Sequence, residues 1–90
     1  MKTKLKKKFL KQLASLPKDV RERIEVFVFG ELPQLSSIAK SGKIEKMHGY
    51  KNYFKIRFGS YRVGLKLEND ELIVQIVMHR KEIYRFFPEN

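Results

Sequence analysis

The stretch "GYKNYFKIRFGSYRVGLKL", residues 49–67, holds five cations and five aromatic rings in nineteen positions and no acid. Gly59 and Ser60 stand alone between two runs that alternate apolar and polar residues, and glycine at the first central position is what a type II′ hairpin turn requires. That turn sets Phe58 opposite Tyr61, Arg57 opposite Arg62, Ile56 opposite Val63 and Lys55 opposite Gly64. Like charges facing each other across two strands destabilise a sheet by an amount comparable with the ~0.2–1 kcal/mol of a good cross-strand pair. Two guanidinium forks that repel each other, with the Lys55 ammonium on the same face, suit an anion: a phosphate cancels the repulsion and accepts charge-assisted hydrogen bonds. Gly64, lacking a side chain, leaves room beside Lys55 for a backbone or a sugar.

A second two-residue turn, Asn69–Asp70, has type I′ chemistry and extends the ladder, with Leu67 opposite Leu72, Leu65 opposite Val74, Val63 opposite Ile76 and Arg62 opposite Val77. On this register His79 falls opposite Ser60 and reaches toward the same anion diagonally. Arg80, just past the strand, is left to turn toward it. One face of the three strands then carries Phe54, Ile56, Phe58, Tyr61, Val63, Leu65, Leu67, Leu72, Val74, Ile76 and Met78. The other carries Tyr53, Lys55, Arg57, Arg62, Gly64, Lys66, Ile73, Gln75, Val77 and His79, with Ile73 and Val77 apolar enough to need a cover from the chain's end or a partner.

Other chemistries find no residues. There is no cysteine, the two histidines are far apart, and no acidic cluster joins the basic face, so no metal and no cofactor is expected. A strained G-x-S-x-G elbow is missing too. What remains is binding to a phosphodiester, or metal-free cleavage of one. RNA allows the latter because its own 2′-OH attacks the adjacent phosphorus; the protein need only move protons and stabilise the pentacovalent phosphate. DNA has no such internal nucleophile.

The elements that position these residues read as α+β. Phe9, Leu10, Leu13 and Leu16, then Val20, Ile24, Phe27 and Val28, fall at helical spacing on either side of Pro17, giving two short amphipathic helices joined as an antiparallel hairpin. Gly30 and Pro33 close the second helix, and residues 30–43 form a connector with one helical turn around Ser37–Lys40. "KIEKM" is a short strand, followed by strands over Tyr53–Phe58, Tyr61–Glu68 and Glu71–Met78. The expected architecture is an N-terminal helical hairpin on one face of a small, mainly antiparallel sheet, one domain over residues 1–90.

Twenty Lys and Arg against ten Asp and Glu leave a net charge of +10, spread as +6 before residue 46 and +4 after it, the footprint of a protein that meets a polyanion. No apolar run has the length of a membrane span, and "MKTKLKKKF" lacks the apolar core of a signal peptide, so a cytoplasmic protein without membrane contact is expected.

The segment "KMHGYKNYFKIRFGSYRVGLKLENDELIVQIVMHRKEIYRFFP" after a helical hairpin resembles the RelE/ParE toxin superfamily of type II toxin-antitoxin systems, and within it the RelE-like ribonuclease branch. The likeness spans nearly the whole chain. It implies a cytoplasmic toxin that cleaves messenger RNA on the ribosome, works without a cofactor, and is neutralised by a cognate antitoxin. Carried over by position, Lys55, Arg57, Arg62, Arg80 and Tyr84 match the family's phosphate-binding, proton-transferring and base-positioning residues, with His79 beside them. Lys46, Tyr53 and Lys66 are candidate RNA contacts, and Lys6 and Lys7 candidate contacts to ribosomal RNA. The strand motif here is Lys-Ile-Arg where the best-known members have Lys-x-Lys, and an arginine is a poor general base, which leaves Lys55 or His79 for that role. The family's opening strand has only Leu5 to form it and is expected to be absent or very short. Two rival readings use the same features: a ParE-like gyrase poison, and a non-catalytic RNA-binding domain.

Overall fold

The computed structural model describes residues 1–88. Strand β1 (Lys2–Leu5) leads into helices α1 (Lys7–Ala14) and α2 (Lys18–Glu25), and the latter continues as a wider π turn over Val26–Glu31. Two 3-10 turns, Leu32–Gln34 and Ile38–Lys40, bring the chain to β2 (Glu45–Lys46), β3 (Tyr53–Phe58), β4 (Tyr61–Glu68), β5 (Glu71–His79) and the single-turn helix α3 (Arg80–Ile83). The sheet order is β1-β5-β4-β3-β2, antiparallel throughout except for β1, which runs parallel to β5.

The opening strand therefore exists, four residues long. Its side chains give it little reason to form, and its backbone supplies the reason: Lys2 to Leu5 pair with Glu71 to Val74, and the N–H of Lys6 donates to Val74 O at 3.0 Å. The N-terminal ammonium is held by the carbonyls of Pro33 and Leu35.

Apolar side chains of the helical hairpin, Phe9, Leu13, Val20, Ile24, Phe27 and Val28, bury against Ile56, Phe58, Val63, Leu65, Leu72 and Val74 of the sheet. The turn chemistry is as the sequence dictates. Gly59 takes φ +58° while Ser60 stays out of the left-handed region, and Asn69 and Asp70 take φ 51° and 63°. The β3–β4 register matches the expected one at all four pairs, including Arg57 against Arg62.

Beyond Leu65 and Val74 the β4–β5 ladder departs from expectation. Leu65 pairs with Val74 but Gly64 pairs with Ile76, so Gln75 is one residue too many, a β-bulge. Every later residue of β5 changes face. Val77, placed on the open face by a regular ladder, is 1% exposed within the main core, and its N–H donates to Gln12 Oε1 of α1 at 3.0 Å. Ile76 and Met78, expected against the helices, turn to the open face instead. His79 stands opposite Tyr61 rather than Ser60.

The open face is not bare. Ile76 packs with Ile83 of α3, Phe87 and Met47, flanked by Tyr53 and Met78, as a second small core. Gly64 is where Phe87 seats: a Cβ there would lie 2.7 Å from the Phe87 ring and 2.8 Å from Ile76 Cγ2. The space opposite Lys55 thus belongs to the chain's own phenylalanine, not to an approaching sugar. Gly64→Ala should destabilise the fold by about 1–3 kcal/mol through overpacking. Urea unfolding measures it, and an unchanged midpoint would show that Phe87 is not seated as described.

Candidate functional site

The basic side chains of the open face fall into three groups along the strands. At the β3–β4 turn, Arg57 and Arg62 face each other. Their repulsion is relieved within the chain, because Arg57 Nε donates to Glu45 Oε2 at 2.9 Å, and Arg62 NH1 donates to Gly59 O at 2.7 Å and Tyr61 O at 3.0 Å. Arg57 also lines a cleft of about 710 Å³ with Arg23, Glu31, Lys43, Phe27 and Phe58, between α2 and the end of β3. The backbone N–H of Arg80 donates to Ser60 O at 2.8 Å, which anchors the start of α3 beside the same turn and leaves the residue exposed.

In the middle of the face, Lys55 and Tyr84 meet although 29 residues separate them in sequence. Lys55 Nζ donates to the Tyr84 hydroxyl at 3.4 Å and lies 5.6 Å from its ring centroid. Tyr84, just past α3, remains 52% exposed. The second core fixes this meeting, since Ile83 and Phe87 on either side of Tyr84 are both buried.

At the far end Lys66 lies 5.6 Å from the Tyr53 ring centroid and 3.0 Å from Glu68. Tyr53 itself is half-buried, edge-on to Phe87 at 5.5 Å, which limits it as a stacking surface. The hydrogen bond and charge of Glu68 raise the Lys66 pKa, and the same contact lowers that of Glu68, with smaller help from Lys6 and Lys4. Lys6 thereby extends the basic face toward β1.

Three residues singled out from sequence stand elsewhere. Lys46 pairs with Phe54, whose ring packs on the main core, so Lys46 belongs to the helix-side row at the sheet edge. Lys7 opens α1, exposed and away from these contacts. His79 shares a row with Tyr61, its ring edge-on at 5.6 Å on the helix side, and its Nδ1 accepts the Lys81 N–H at 3.1 Å. The expectation that it reaches the anion across the open face is corrected by the bulge; the histidine caps α3 instead. Glu45 was missed, and its position two residues before Met47 in a two-residue strand carries no signal that it would meet Arg57.

Comparison with known proteins shows the family and the fold. The family model for the ParE toxin of type II toxin-antitoxin systems, parDE, matches residues 3–84. Toxin RelE3 of Methanocaldococcus jannaschii is 40% identical over 90 residues, which cover 98% of this chain and all of the relative. The chain belongs to the RelE/ParE toxin superfamily. As such it is a toxin of the type II toxin-antitoxin class, RelE-like in fold. Among solved structures, the RelB–RelE antitoxin–toxin complex from Methanococcus jannaschii matches with TM-score 0.77 and 36% identity over 94% of this chain and 99% of that one. The intact E. coli RelBE complex shares the fold at TM-score 0.66 and 21% identity, over 87% of this chain and 94% of that one.

On this RelE-like sheet the lowered Glu68 contributes stability above the ordinary carboxylate pKa and loses it as pH falls through its depressed value. The raised Lys66 contributes below the ordinary ammonium pKa and loses it as pH climbs through its raised one. Both are exposed to solvent, so the effect is small. Carbon-13 NMR titration should find the Glu68 midpoint lower in the native chain than in Lys66→Ala; equal midpoints would contradict the pairing.

Proposed function

We propose that this chain is a metal-independent, ribosome-dependent endoribonuclease that cuts messenger RNA through attack by the 2′-OH, and that a cognate antitoxin neutralises it. The observation that carries the reading is the meeting of Lys55 and Tyr84 beside the facing Arg57 and Arg62. It supports the reading because cations of the kind that suit a phosphate lie next to an exposed ring of the kind that suits a base. The similar chain from Methanococcus jannaschii is a RelE in complex with RelB, which supports an antitoxin partner of that kind here.

In the proposed reaction the 2′ oxygen bonds to phosphorus and the P–O5′ bond breaks, leaving a 2′,3′-cyclic phosphate and a 5′-hydroxyl. Arg62 and Arg57 stabilise the charge of the pentacovalent phosphate. Lys55, once its own proton has passed to solvent, takes the 2′-OH proton as the neutral amine, and the departing 5′ oxygen, held by Arg80, takes a proton from solvent. Tyr84 holds the base, and Lys6 and Lys66 attract the polyanion along the face. His79 acts through α3: by accepting the Lys81 N–H it fixes the turn that carries Tyr84.

Two substitutions at the site have distinct expected outcomes. Arg62→Ala should lower cleavage of messages on translating ribosomes by on the order of a hundredfold or more, as the loss of one transition-state donor does elsewhere. Primer extension after induction reads this, and full cleavage by that variant would remove the site. His79→Asn should retain most cleavage, because the Asn oxygen can accept the same N–H, whereas His79→Ala should lose more. Equal loss in both would make the imidazole a reacting group.

The family model carries the ParE name, which gives a gyrase-poisoning reading a specific basis. The same induction decides between them: DNA breaks with intact messages would favour the gyrase poison. RNA binding that weakens steeply with salt while the RNA ends stay intact would favour a non-catalytic binding domain.

A further inference from the structure

The facing arginines are each partly engaged by an acceptor from the chain, Arg57 through Nε and Arg62 through NH1. Arg62 is tied to two carbonyls of its own hairpin turn. Arg57 is tied to Glu45, a residue of β2 that sits opposite Lys55 and so shares the open face. The carboxylate is 2.9 Å from Arg57 Nε and draws the guanidinium toward the β2 edge, where a shallow cleft is lined by Gly42, Lys43, Glu45 and Arg57. Glu45 therefore removes one positive charge from a face whose proposed ligand is negative. Its side chain is 39% exposed and that of Arg57 61%. A pair so exposed is weak enough for a well-placed phosphate to replace the carboxylate.

We propose that Glu45 is a specificity-determining residue, an internal counter-ion that competes with phosphate for Arg57. Free phosphodiesters meet this competition without help. An RNA already held through its other phosphates and its stacked base presents the scissile phosphate at high effective concentration and displaces the carboxylate. Arg57 then swings from Glu45 to the phosphate as the substrate is engaged. This rests on the endoribonuclease reading for the identity of the substrate, but the competition itself requires only an anion at Arg57.

The test uses the full chain as wild type, Glu45→Gln, Arg57→Ala and the double variant, each titrated with inorganic phosphate and with a short 2′-O-methyl RNA that cannot be cleaved. Arginine side-chain NMR signals report phosphate, and fluorescence anisotropy reports RNA. Glu45→Gln should bind both probes about two- to fivefold more tightly. Its salt dependence should steepen by up to ~0.7 in log–log slope, since no carboxylate is left to take up a cation on release. In the Arg57→Ala background the same change should bring no gain. Unchanged affinity in Glu45→Gln overturns the proposal, and so does a gain that persists without Arg57, which would be a general charge effect. Loss of ribosomal cleavage with unchanged binding also overturns it, because Glu45 would then be a reacting group. Absence of cleavage by the wild type would remove the endoribonuclease reading and leave the phosphate titration to decide on Glu45.

Discussion

Two arginines face each other across a hairpin whose turn permits no other register. Gly59 takes the positive φ that the two-residue turn demands, and the ladder from Phe58–Tyr61 to Lys55–Gly64 follows from it. A slip by one residue would move Ile56 and Val63, both buried, to the open face, so the hydrophobic effect and the turn enforce the same pairing. The repulsion is thus a cost that the fold imposes on itself. It is met locally, by Glu45 on one side and by the carbonyls of Gly59 and Tyr61 on the other.

The rest of the site depends on keeping that face partly covered. The bulge at Gln75 is the device. By changing the face of Ile76 and Met78 it creates an apolar patch on the basic side, on which Ile83 and Phe87 settle. Gly64 supplies the depth for the Phe87 ring. Tyr84, between these two anchors, is thereby delivered to Lys55 while its own ring stays exposed. The same bulge sends Val77 into the main core and turns His79 away from the cations.

Much of this was legible in the sequence because the signals were local. The helical hairpin, the two turns and the β3–β4 register each follow from a few neighbouring residues, as does the turn at Ile38–Lys40. The bulge was not legible: nothing in "ELIVQIVMH" marks Gln75 as the extra residue, and the regular alternation reads equally well with either parity. From that one unreadable point came the misplaced His79, Val77, Ile76 and Met78. The role of Gly64 was misread for a related reason, since an absent side chain shows that something comes close but not what. Glu45 and the opening strand escaped because their reasons are tertiary, a contact with Arg57 across β2 and a backbone pairing with β5.

The central claim is that the basic face, with Tyr84 over Lys55, promotes attack by the substrate's own 2′ oxygen. The most direct measurement replaces a single nucleotide of a message, at the position cut on the ribosome, with its 2′-deoxy counterpart and maps the RNA ends after addition of the purified toxin. The account predicts that cutting at that position disappears while neighbouring sites are still cleaved, with 2′,3′-cyclic phosphate and 5′-hydroxyl ends. Continued cleavage at the 2′-deoxy position would contradict it.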